Sequence, residues 1–110
     1  MAVEGFWTVR FEGPHVAGTG VVMMKANKLY GGESGFYYIG NYEVDGNIFK
    51  ARVAVKNFDP KMPSGFGIKG DYEMDVSGMV NDASNMTGTA MITGAPQYNI
   101  GIRLTKRADL

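Results

Sequence analysis

Between Ile68 and Gly78 the chain alternates strictly. Ile68, Gly70, Tyr72, Met74 and Val76 fall on one parity, and Lys69, Asp71, Glu73, Asp75 and Ser77 on the other. A helix would spread those four charges around its circumference, whereas an extended strand sends all of them to one face. The segment is therefore a half-buried strand, and a chain dominated by such segments is confined to sheet architectures.

The same period recurs along the sequence. Trp7, Val9 and Phe11 alternate with Thr8, Arg10 and Glu12, Gly18 to Lys25 is β-rich, and Lys28 to Gly31 follows a turn at Ala26-Asn27. Phe36 to Asp45 sets Phe36, Tyr38, Gly40, Tyr42 and Val44 against Tyr37, Ile39, Asn41 and Glu43. Ile48 to Asn57 sets Phe49, Ala51, Val53 and Val55 against a row with Lys50, Arg52 and Lys56. Met86 to Gly94 and Tyr98 to Lys106 complete eight strands, the last with Ile100, Ile102 and Leu104 on one side. Asp45-Gly46 is the strongest hairpin signal, because both residues tolerate the positive φ of a type I′ turn. Asn81 to Asn85 and Gly94 to Gln97 also read as turns. Phe58 to Gly67 holds two prolines and cannot be a regular strand. Eight strands in 110 residues leave about 14 per strand and turn, the spacing of a meander.

A meander this long must deal with two edge strands, and closure removes both. Gly40, Ala51, Gly70, Gly88 and Ala90 among larger residues give the inner rows room to bend. The expectation is an all-β, eight-stranded antiparallel meander closing into one small barrel over residues 1–110. Trp7, Val9, Tyr72, Met74, Val76, Ile100 and Ile102 should lie inside it. A sandwich of two four-stranded sheets is the alternative.

Composition removes functions. Eleven basic residues balance eleven acidic ones, so no net field favours nucleic acid or an anionic membrane. There is no cysteine, which excludes disulfide scaffolds, thiol chemistry and cysteine–metal sites, and suits a reducing cytoplasm. No signal-peptide pattern opens the sequence, and no apolar run approaches the roughly 18 residues needed to span a bilayer. The expectation is a cytoplasmic protein without cofactor, metal, nucleic-acid or membrane partner.

Individual candidates for chemistry reduce to structure. His15 is the sole histidine and follows Pro14 in a connection, with no second imidazole and no base–nucleophile spacing around it. Gly18-Thr19-Gly20 and Gly31-Gly32 precede no helix, so they are sheet bends and not phosphate loops. Asp71, Glu73 and Asp75 lie roughly 6.5–7 Å apart along a strand, too spread for a calcium site, and pair better with Lys50, Arg52 and Lys56 across strands. No convergent titratable set points to catalysis, so the chain is read as a non-enzyme. Met23, Met24, Met74, Met86 and Met91 with Tyr38, Tyr42, Phe49 and Tyr72 read first as core filling, and alternatively as the lining of an apolar lumen. Phe58, Met62 and Phe66 belong to a loop that either seals one barrel mouth or acts as a lid or docking surface.

Several segments together resemble a family. Glu4-Gly5-Phe6-Trp7-Thr8-Val9, Gly20-Val21-Val22, Leu29-Tyr30-Gly31-Gly32-Glu33-Ser34 and Tyr42-Glu43-Val44-Asp45-Gly46-Asn47 recur in order in the GrlR-like proteins. So do Pro63-Ser64-Gly65-Phe66-Gly67 and Arg107-Ala108-Asp109-Leu110. The family is named for the negative regulator of type III secretion in enteric pathogens. The resemblance implies an eight-stranded lipocalin-like barrel, usually a homodimer, that regulates by binding a protein, in the type case a transcriptional activator. That contact is attributed to an acidic Glu-Asp-Glu-Asp turn. Here the matching positions hold Glu43, Asp45, Gly46 and Asn47 around Val44, with one or two acids in place of four. The resulting expectation is a non-enzymatic regulator with a transcriptional regulator protein as partner and the 43–47 turn as its contact. The alternative is a small barrel that takes an apolar, lipid-like molecule in its lumen.

Overall fold

The computed structural model describes residues 3–13, 17–62, 66, 68 and 70–110. Its elements are β1 (Gly5–Glu12), β2 (Ala17–Lys25), β3 (Lys28–Glu33), β4 (Phe36–Asp45), β5 (Ile48–Asn57), β6 (Tyr72–Asp82), β7 (Asn85–Ile92) and β8 (Ala95–Ala108). All pair antiparallel with their sequence neighbours, and β8 returns to β1 to close the barrel. The closed meander follows from the alternation, and no helix occurs among the described residues. The sandwich is ruled out.

The parity of each strand decides what is inside. Trp7, Phe36, Met24, Val53 and Val55 are the largest fully buried side chains. Val9, Met74, Val76, Ile100 and Ile102 are buried with them, and Tyr72 packs half-buried against the same core. Trp7 Nε1 donates to the Val3 carbonyl at 2.9 Å, which satisfies the indole and holds Val3 across the barrel end where β1 begins. Met23 and Met91, grouped in the sequence with the lumen methionines, face outward. Met23 adjoins the fully buried Met24 and so takes the opposite face, and Met91 stands opposite Asp75 on the outer row.

Several boundaries differ from the sequence reading. The strand expected from Ile68 begins at Tyr72, because Gly70 takes a left-handed φ of 84° and Asp71 Oδ1 accepts the Asn57 N–H at 2.8 Å. It then runs past Gly78 to Asp82, since Gly78 and Gly88 oppose each other and let the two backbones approach. The β4–β5 turn is Gly46-Asn47, closed by the Asp45–Ile48 pair. Only Gly46 has positive φ (62°), the pattern of a type II′ turn and not of type I′. The Gly94–Gln97 turn is likewise shifted: Ile92 pairs with Ala95, and the next pair, Met91 with Asn99, leaves Pro96 in a bulge where its missing N–H costs no ladder bond.

Candidate functional site

Outward positions of a solvated sheet should be polar, and along the middle of β5 and β6 most are, with Lys50, Arg52 and Lys56 on one strand and Glu73, Asp75 and Ser77 on the other. Arg52 Nε meets Asp75 Oδ1 at 2.9 Å and Lys56 Nζ lies 3.9 Å from Asp71, so these acids serve cross-strand pairing. The outer face of β2, β3 and β4 breaks that rule. Met23 stands opposite Tyr30, and Tyr30 opposite Ile39. In the next row Val21 and Tyr37 flank Gly32, which adds no side chain between them. Phe58, just past β5, lies against Tyr37 with ring centroids 6.1 Å apart and is itself 62% exposed. The other five are 40–49% exposed. Six large apolar side chains so exposed side by side form a contiguous patch of the kind that marks a contact surface. The sequence reading put Met23 with the core or lumen methionines and Phe58 in a lid or docking loop and did not group the six, although the shared outward parity of the other five on three successive strands carried the signal.

The 43–47 turn projects from the barrel end that also carries the 26–27 and 83–84 turns. Glu43, Asp45, Gly46 and Asn47 are exposed, and Glu43 stands opposite Lys50. The Asn47 carbonyl accepts the Val80 N–H at 2.8 Å, which pins the turn against β6. Beside it, outward Ile48 and Met79 form a second exposed apolar pair.

Inside, Tyr38, Phe49 and Met74 line an apolar cavity of about 40 Å³. Tyr72 borders a smaller space of about 10 Å³ with Phe66 and Glu33. Tyr42 and Met86 are buried in the core but line neither, Tyr42 stacking on Phe49 at 5.9 Å. Of the three loop residues only Phe66 reaches the core, where it meets Tyr72 edge-on at 5.6 Å, while Phe58 and Met62 stay exposed. Tyr38 donates its hydroxyl to Glu33 Oε1 at 2.7 Å. Burial pushes both groups above their ordinary values, Tyr38 far above neutrality, so this phenol remains a donor. His15 lies outside the described residues. Among the described residues no three His, Cys, Asp or Glu side chains cluster to hold a metal, and no helix is long and apolar enough to cross a membrane. Comparison with protein-family models and with curated proteins returns no match.

Proposed function

We propose that this chain is a non-enzymatic regulatory protein that acts by protein–protein contact, with the outer face of β2–β4 mating with a second copy. The carrying observation is the contiguous apolar strip of Val21, Met23, Tyr30, Tyr37, Ile39 and Phe58. A specific interface buries about 800 Å² per partner around an apolar centre, and these six side chains supply such a centre. The 43–47 turn with Ile48 and Met79 then remains free at the barrel end for a transcriptional regulator, the partner class implied by the GrlR-like resemblance. A lumen ligand has less support. A space of about 40 Å³ takes a water or two, whereas ligand pockets run to roughly 300 Å³ or more.

Sedimentation equilibrium tests this directly. The wild-type chain is expected to dimerise at micromolar concentration and Ile39→Asp to be monomeric with an unchanged circular dichroism spectrum. A wild-type protein that stays monomeric at hundreds of micromolar overturns the mating face. A stoichiometric lipid retained in native mass spectrometry overturns the surface reading in favour of the lumen.

A further inference from the structure

One row away from the apolar strip, the outer face changes character. Arg10 on β1 stands directly across the ladder from Arg103 on β8, and Thr19 of β2 flanks Arg10 on its other side. In the adjacent row Thr8 faces Thr105. Beyond it the β1–β8 register shifts between Phe6 and Trp7, and Arg107 donates its Nε–H to Thr8 Oγ1 at 2.9 Å. These six residues line an open depression of about 550 Å³.

Like charges directly opposite each other in a sheet are destabilising, and this chain elsewhere sets acids against its outward bases. Here it does not. The nearest carboxylate to Arg103 is Glu12, at 4.0 Å and between two exposed side chains. Arg10 has no carboxylate partner among the described residues. Glu33 also borders the depression, with its Oε1 occupied by the Tyr38 hydroxyl. Three guanidinium groups and three hydroxyls thus share one concavity with a surplus of donors and positive charge.

We infer that this depression binds a phosphate-type oxyanion. One guanidinium fork satisfies a planar carboxylate; three forks and flanking hydroxyls suit a tetrahedral anion whose oxygens point in several directions. Occupancy would also offset the Arg10–Arg103 repulsion. The guanidinium and hydroxyl groups lie on β1, β2 and β8, while Val21 and Gly32 are shared between the rim of the depression and the apolar face; binding of the anion needs no second copy.

The test is amide NMR titration at constant ionic strength with inorganic phosphate, ribose 5-phosphate and acetate. Phosphate is expected to give saturable shifts centred on Thr8, Arg10, Thr19 and Thr105. Arg10→Gln and Arg103→Gln should each weaken binding about tenfold, the loss of one charged hydrogen bond. Both variants remove a like-charge pair from an exposed surface, so their spectra away from the depression should match the wild type. Equal affinity for phosphate and the sugar phosphate supports a free anion, and tighter sugar-phosphate binding supports an ester. Non-saturating shifts, shifts scattered over lysines elsewhere, acetate saturating the same residues equally well, or unchanged affinity in both variants overturns the site.

Discussion

Glu33 shares the parity of Leu29 and Gly31 and so points into the barrel mouth, where burial raises its carboxyl and the Tyr38 hydrogen bond offsets part of that rise. A carboxyl with a folded pKa above its unfolded value binds its proton more tightly in the native state. The native state is therefore favoured at low pH, and that contribution is lost as pH rises from the ordinary carboxylate value through the raised one. Glu33→Gln keeps an acceptor for Tyr38 and abolishes the ionisation. It is expected to melt at a higher temperature than wild type at pH 7 and at nearly the same temperature at pH 4. Equal differences at both values would mean that packing and not ionisation is responsible. The exposed Asp82, whose carboxyl is held low by the Ser84 N–H, is common to both proteins and cancels in the comparison. Glu33 was legible in principle from parity alone. The reading stopped the third strand at Gly31, because two adjacent glycines look like an ending, and so the acid was left outside.

Turns show where local sequence determines structure and where neighbours do. Ala26 and Asn27 both take left-handed φ, 51° and 66°, the type I′ pattern, although neither is glycine. The turn is held from outside: Glu4 Oε2 accepts the Ala26 N–H at 2.8 Å, and Asn27 exchanges hydrogen bonds with the Tyr42 backbone. Left-handed alanine costs roughly 1–2 kcal/mol, and glycine returns some of that through a more disordered unfolded chain. Ala26→Gly is therefore expected to stabilise the protein by about 0.5–1 kcal/mol in urea denaturation, with an unchanged m-value. A loss of stability would show that the alanine methyl makes a contact that outweighs its strain. The strands β4 and β5 were legible to the residue, since ten alternating positions fix each one. What moved was set by pairing partners: the turn centres on Gly46-Asn47 and not on the Asp45-Gly46 signal because Asp45 pairs with Ile48, and β6 starts late because Asp71 accepts the Asn57 N–H. Neither interaction is encoded within the segment it shifts.

At the scale of the whole barrel, an eight-stranded closure leaves an interior just wide enough for side chains to fill. This chain fills it with Trp7, Met24, Phe36 and Phe49 and leaves a space of about 40 Å³ near Val53, Tyr38 and Met74. The inside was legible from alternation, and the outside much less so. An apolar residue on the outer row is unremarkable singly and becomes informative only once register places Met23, Tyr30 and Ile39 side by side. The two surfaces can be separated by experiment. Val53 is almost fully buried and borders the cavity, so Val53→Ile adds one methylene beside a void of about 40 Å³. Burying one methylene contributes about 0.8 kcal/mol where it meets no strain, and the expected result is a higher melting temperature with the dimer fraction unchanged. A lumen that must admit a ligand would lose that function on filling, whereas a regulator working through its outer face would keep its self-association. Destabilisation would show that the Val53 site cannot admit the extra methylene without strain. Altered dimerisation would show that core packing reaches the outer face through the alternating side chains of β4 and β5, and that inside and outside are not independent in so thin a sheet.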